Sequence, residues 1–254
     1  MSWAAGRRMM ILLIIGAIII AFLAVVGIAT FYEEPSCTDS KQNQGEQEVD
    51  CGGPCAYLCT EQMQPPTVLF TKALPNGAGR TDVIASVENK NTAAAAKNVP
   101  YRITLYGPDR AFIQEVSGTV DLPPAASVPI YVPNITSGKQ TVASAFLTIA
   151  PSAPQWFAPL AASRIVPLVS ITALRGTTEM PRIEAVLENQ STATLYNVRT
   201  IIIVHDERGE VIAASQTIVP VLPAQGQATA TFTWNNAFSD IPTAIEVVPV
   251  VPLP

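Results

Sequence analysis

Three hydrophobic patterns follow one another along the chain. Met9 to Ala29 is an apolar stretch of 21 residues without a charge. As a helix it extends about 32 Å and matches the hydrocarbon core of a bilayer. Residues 30–66 lose this pattern and are mostly polar. From residue 67 onward the period becomes two. Val83, Ala85 and Val87 alternate with Ile84, Ser86 and Glu88, and Ile183, Ala185 and Leu187 alternate with Glu184 and Glu188. Ala228, Ala230, Phe232 and Trp234 alternate with Thr229, Thr231 and Thr233. Such alternation predicts half-buried β-strands. Ile201 to Val204 is an unbroken β-branched run, which predicts a central strand covered on both faces. Gly107-Pro108-Asp109-Arg110 and Asp206-Glu207-Arg208-Gly209 fall between strands and predict hairpin turns.

The β-patterned part repeats itself. Ala73-Leu74 aligns with Ala173-Leu174, and Val87-Glu88-Asn89 with Leu187-Glu188-Asn189, at an offset of 100. Asn98-Val99 aligns with Asn197-Val198, Ile113 with Ile212, and Pro124-Ala125 with Pro223-Ala224, at 99. Each copy holds about six or seven short strands with turn signals every 8–12 residues, the pattern of an immunoglobulin-type sandwich. The expected fold class is therefore an all-β ectodomain: two tandem immunoglobulin-like β-sandwiches, residues 67–150 and 164–254, on a single N-terminal transmembrane helix. A proline-rich linker, residues 151–163, joins the copies and carries Trp156 and Phe157. These two aromatics are expected to wedge between the domains, with an exposed partner contact as the other reading. Glu88-Asn89 and Glu188-Asn189 recur among different neighbours, which points to turn closure.

Charge orients the first segment. Arg7 and Arg8 precede the apolar run, and Glu33 and Glu34 follow it, so residues 1–8 are expected in the cytoplasm, 9–29 in the membrane and the rest outside. The run exceeds the apolar region of a usual signal peptide, which favours an uncleaved anchor in the cell membrane. Over the whole chain hydrophobic residues make up 48%, charged residues 14%, and the net charge is −5. That balance excludes a disordered chain, a coiled coil and a nucleic-acid binder. The mean hydropathy of +0.29 reflects the apolar run and two β-rich cores low in charge. The imbalance has an address: residues 31–66 carry seven acids against Lys41 alone.

All four cysteines, Cys37, Cys51, Cys55 and Cys59, lie in that acidic neck, residues 30–66. Their spacing, C-x13-C-x3-C-x3-C, is not that of paired zinc knuckles, and an even number outside the cytoplasm favours two disulfides, with three pairings open. Gly52-Gly53-Pro54 suits the sharp path of such a knot. Asp39, Asn43, Glu46 and Asp50 put hard oxygen ligands on one disulfide-closed loop, as calcium coordination requires, although the spacing is not that of an EF-hand. The competing reading is an acidic spacer whose Asp and Asn side chains close turns.

Two family resemblances bear on this organisation. Cys37, Asp39, Asn43, Glu46, Asp50, Cys51, Gly52, Gly53 and Cys55 resemble a short Cys-Gly-Gly module, C-x-D-x3-N-x2-E-x3-D-C-G-G-x-C, of predicted secreted and surface proteins of bacteria. The match covers about 23 residues. The β-patterned copies resemble the FxLYD-like family of envelope-associated sandwiches over about 170 residues. Ile103-Thr104-Leu105-Tyr106-Gly107 keeps the Leu and Tyr of its name-giving motif, and Ile202-Ile203-Val204-His205-Asp206 keeps only the Asp. This second resemblance implies fold and transfers no chemistry to any residue.

Catalytic material is scarce. The chain has one histidine, His205, at a strand end beside Asp206, and its cysteines are committed to the neck. No phosphate loop or dinucleotide fingerprint is present. The expectation is a non-catalytic membrane-anchored protein of the cell envelope that presents tandem β-sandwiches for protein–protein contact or assembly. Two alternatives stand beside it: an accessory or sensor subunit of an envelope transport or secretion complex, and a calcium-dependent surface adhesin. Expected partners are the membrane and other envelope proteins, without nucleic acid or a small-molecule substrate.

Overall fold

The computed structural model describes residues 3–31, 36–77, 79–136, 138, 140–152, 154–159 and 165–253. Glu33, Glu34, Ala153 and residues 160–163 of the expected linker lie outside them. Two compact units are present, Met1–Cys55 and Ala56–Pro254.

The first unit opens with helix α1, Trp3–Phe31. Its segment Arg7–Ile28 has a mean hydropathy of 3.3, and no part of that apolar stretch is buried inside the protein. A helix apolar on every side has no polar face to offer water. It is long and apolar enough to cross a membrane. The cysteine loop, residues 36–55, completes the unit.

The second unit is built from β1 (Thr67–Pro75), β2 (Arg80–Asn89), β3 (Ala95–Tyr106), β4 (Phe112–Leu122), β5 (Ala126–Thr136), β6 (Ser144–Thr148), β7 (Trp156–Phe157), β8 (Leu168–Gly176), β9 (Pro181–Glu188), β10 (Leu195–His205), β11 (Val211–Leu222), β12 (Gln227–Thr233) and β13 (Ala244–Val250). The first half pairs as β1-β2-β5 and β4-β3-β6, with β7 added to β3; the second pairs as β8-β9-β12 and β11-β10-β13. The connectivity of the two halves is identical once β7 is set aside, so the repeat read in the letters is a repeat of topology.

Strand pairing corrects the alignment at two points. Val68 faces Val87 as Val169 faces Leu187, which places the first strands at an offset of 101. The hairpin after the first strand is one residue shorter in the second half. Asn89 reaches the Pro123 carbonyl as Asn189 reaches that of Pro223, so Pro123 and not Pro124 is the counterpart of Pro223.

The alternating residues fill two cores. Val83, Ala85, Val87, Ile103, Leu105 and Leu122 are buried in the first; Ile183, Ala185, Leu187, Ile202, Val204 and Phe232 are buried in the second. The strands β2 and β10 are covered on both sides, because a third cluster joins the halves. Ile84 packs there with Ile201, Ile203, Val211 and Ala214, flanked by Phe70, Leu74, Tyr131 and Val250. The outer face of β1-β2-β5 thus lies on the outer face of β11-β10-β13. Four sheets stack in the order β4-β3-β6, β1-β2-β5, β11-β10-β13, β12-β9-β8. Lys72 bridges to Glu210 at 3.1 Å at the rim of this junction, and the Leu253 N–H donates to Asp121 Oδ2 at 2.9 Å.

Each half is closed by the same asparagine. Asn89 Nδ2 donates to the carbonyls of Ala94 at 2.8 Å, Leu122 at 3.4 Å and Pro123 at 2.8 Å, while its Oδ1 accepts the Asn91 N–H. Asn189 Nδ2 donates to Ala193 at 2.7 Å, Leu222 at 3.4 Å and Pro223 at 3.0 Å, and its Oδ1 accepts the Ser191 N–H. A buried amide with four partners is what a turn carrying free carbonyls requires.

The expected neck, residues 30–66, divides at the boundary between the units. Tyr57 bridges to Phe157, the Leu58 N–H donates to the Trp156 carbonyl at 2.8 Å, and Leu58 and Met63 pack on the first core. Asn91 holds Gln64 through its backbone N–H and carbonyl. Residues 57–64 therefore belong with the first β-half.

Candidate functional site

Among the described residues, the cysteine loop of the first unit and a cleft between the stacked halves of the second gather polar side chains beyond what strand pairing uses.

In the loop, Cys37 is bonded to Cys55, with their Cα atoms 5.6 Å apart. Cys51 and Cys59 are also in disulfide linkage, and none of the four cysteines is free. The chain between Cys37 and Cys55 is coiled tightly: Ser40, Gln44, Asp50, Gly45, Gly52 and Gly53 all have positive φ. Gly53 is required as glycine, since a Cβ there would run into the Gly45 carbonyl oxygen. Glu48 and Cys51 form a short antiparallel bridge, which draws the Cys-Gly-Gly corner onto the loop.

The four candidate calcium ligands lie on this loop, and each of the three carboxylates accepts a backbone N–H of the loop. Asp39 Oδ1 accepts the Lys41 N–H at 2.9 Å and Oδ2 accepts Asn43 Nδ2 at 2.8 Å. The Asn43 amide, ahead of smaller backbone contributions, holds the Asp39 carboxyl below its ordinary range. Asp50 accepts the N–H groups of Asp39 at 3.0 Å and Ser40 at 3.0 Å. Glu46, which is buried, accepts the Asn43 N–H at 3.2 Å. Glu46 Oε1 also lies 3.1 Å from the Cys55 sulfur; as half of a disulfide that sulfur has no proton to give and is no ligand for a hard cation. Asn43 Oδ1 is the oxygen of this set that is buried with no partner. Calcium takes six to eight oxygens, whereas this arrangement spends its carboxylates on turn closure.

Trp156 corrects the expectation placed on the linker. It is 1% exposed, sits in the core of the first half and pairs with Ala96 through β7. It is therefore neither a free contact surface nor a wedge between domains. The linker segment folds back as a short strand because an indole this large contributes more when buried against an incomplete sheet than when exposed in a loop. Phe157, its neighbour, is half-buried.

His205 closes the strand end as expected. Its Nδ1 lies 3.1 Å from the Gly209 carbonyl, and its Nε2 is 4.0 Å from Glu246. Asp206 beside it is buried and caps its own turn, accepting the N–H groups of Arg208 at 2.9 Å and Glu210 at 2.8 Å. Burial opposes its charge, but these bonds and the Arg208 guanidinium outweigh it and lower the carboxyl.

The cleft between the halves was not marked by sequence reasoning. It encloses about 190 Å³, and its walls include Asp82, Tyr131, Asn76, Trp234 and Phe238. Asp82 is 7% exposed and has three neutral donors: Tyr131 Oη at 2.6 Å, the Asn134 N–H at 2.8 Å, and Asn76 Nδ2, shared at 3.1 Å to Oδ1 and 3.0 Å to Oδ2. Burial, followed by the hydrogen bond to Asp82, pushes the Tyr131 phenol well above its ordinary value, so it remains a donor. Trp234 and Phe238 meet edge-to-face with ring centroids 5.0 Å apart. The signal in the sequence was a break in the repeat: Asp82 aligns with Arg182, so this carboxylate belongs to one copy alone.

No family model matches the chain, and no curated protein matches it. Among solved structures, the crystal structure of the coconut allergen cocosin is 10% identical over 73% of this chain and 84% of that one, at a TM-score of 0.11. At that score the likeness carries no argument.

Proposed function

We propose that the chain is a single-pass membrane protein of the cell envelope, N-terminus in the cytoplasm, that presents a disulfide-pinned module and two immunoglobulin-like sandwiches outside it for protein–protein contact or assembly, without catalysis. The observation that carries this reading is the apolar helix Arg7–Ile28, whose side chains find no cover in the protein and whose length suits a bilayer. The oxidised state of all four cysteines supports an extracytoplasmic location. The sheet order β1-β2-β5 facing β4-β3-β6 is compatible with the A-B-E and C′-C-F sheets of an immunoglobulin-type sandwich, and the Cys-Gly-Gly and FxLYD-like resemblances point the same way. Phe112 and Phe146 are exposed and pack edge-on against Tyr106, which favours the outer face of β4-β3-β6 as the contact surface.

The test is made on the full chain in native membranes. A thiol-reactive polymer should label the cysteines only after reduction, and external protease should reach residues 67–254 in intact spheroplasts. A photo-crosslinking residue at position 112 or 146 should then capture an envelope protein. Free thiols before reduction, or protection of the β-unit from outside, would overturn the topology. The adhesin reading is separated by calcium titration: the loop geometry leads us to expect no saturable heat at millimolar calcium, and such a heat would reinstate it.

A further inference from the structure

We propose that the cleft beside Asp82 binds a quaternary ammonium group, of the choline or betaine class. Three features of the cleft select this chemistry. Asp82 is the one charged side chain among the described residues that line it, and it has no cationic partner among them, so the cleft carries a buried negative charge that neutral donors solvate but do not cancel. Leaving such a charge uncompensated is costly, and a cation that enters without demanding rearrangement relieves it. Both oxygens of Asp82 are already engaged by Tyr131, the Asn134 N–H and an Asn76 amide shared between them, which takes up most of the acceptor capacity of a carboxylate. A metal ion or a primary ammonium needs a lone pair to bind and would have to displace Tyr131 or Asn76. A quaternary ammonium makes no hydrogen bond and interacts by charge alone. Finally, Tyr131, Trp234 and Phe238 supply aromatic surface to the same cleft, and aromatic faces are the partners that methylated cations use. The volume of about 190 Å³ corresponds to about six waters at their liquid packing, enough for a head group and a short polar tail directed at Thr233, Asn235 and Asn236.

The site is assembled by tertiary packing alone: Asp82 and Tyr131 come from the first half and Trp234 and Phe238 from the second. Ligand binding would therefore clamp the two halves together. The group could reach the cleft as a free solute or as a phosphatidylcholine head group, and the experiment separates the two.

The full chain in maltoside micelles is titrated with choline chloride while tryptophan emission is read, since Trp234 lines the cleft. The controls are potassium chloride, methylammonium and the uncharged choline isostere 3,3-dimethylbutan-1-ol. The same readout compares nanodiscs of phosphatidylcholine with nanodiscs of phosphatidylglycerol. A saturable response to choline identifies a soluble ligand, and one seen only in phosphatidylcholine discs identifies the head group; either supports the site if methylammonium binds at least tenfold more weakly. Asp82→Asn should weaken the response at least tenfold. Phe238→Ala, which leaves the Asp82 network intact and carries the test should D82N not fold, should weaken it at least fivefold. No saturable response to choline or to phosphatidylcholine, a response to methylammonium within tenfold, an equal response to the uncharged isostere, or an unchanged response in the folded variants would overturn the proposal.

Discussion

Single buried side chains close the corners of this β-unit. Asn89 and Asn189 each satisfy three carbonyls at a corner where the chain leaves one sheet for the other. Asn189→Ala strands those carbonyls and should cost about 2–3 kcal/mol in chemical denaturation. Asn189→Asp should cost more, since a carboxylate turned toward three carbonyl oxygens repels them. Thr200 is the opposite case. It is fully buried, and its hydroxyl has no partner. Thr200→Val keeps the shape and removes the unmet group, so it should raise stability by about 1 kcal/mol, read in the same assay.

At the scale of elements, β7 shows how a short segment can matter more than its length suggests. Two residues add to β3 and put Trp156 into the first core. Trp156→Ala should destabilise the unit by about 3–5 kcal/mol, as loss of a buried aromatic does elsewhere, and a chain truncated at residue 150 should fail to give a cooperative melt. The cysteine loop depends on backbone instead of packing. Gly53→Ala would drive a methyl group into the Gly45 carbonyl. It should slow oxidative formation of the Cys37–Cys55 bond, followed by thiol trapping during refolding.

At the scale of the molecule, the junction between the halves uses unlike faces. The first half contributes the outer face of β1-β2-β5 and the second the outer face of β11-β10-β13. The two copies have diverged accordingly: Ile84 is buried at the junction, while its counterpart Glu184 pairs with Arg182 on a half-exposed surface. Packing of this kind couples the halves into one folding unit. Ile84→Asp buries a charge in that cluster without touching either sandwich core. It should turn a single calorimetric transition into two, one for each half; one unchanged transition would show that the coupling lies elsewhere.

Whatever depends on near neighbours along the chain was legible in its letters. A run of apolar residues from Met9 to Ala29 is a helix without a polar face whatever surrounds it, and alternation at Val83–Val87 or Ile183–Leu187 selects one face of a strand because side chains alternate with period two. The recurrence of Glu-Asn in both copies pointed to a closed turn, which the asparagines and not the carboxylates close, and the continuous run Ile201–Val204 foretold a strand covered twice. The tertiary structure alone decided what covers the second face of β2 and β10, since apolarity says that a surface must be buried and not by which partner. It also drew Trp156 out of an apparent linker into the first core, turned the loop carboxylates inward to backbone N–H groups, and set Asp82 beside Tyr131, Trp234 and Phe238. Those four residues are spread over more than 150 positions. Only the stacking of two sheets from different halves gives them a common cleft, because the sign and aim of a buried charge depend on which surfaces meet around it.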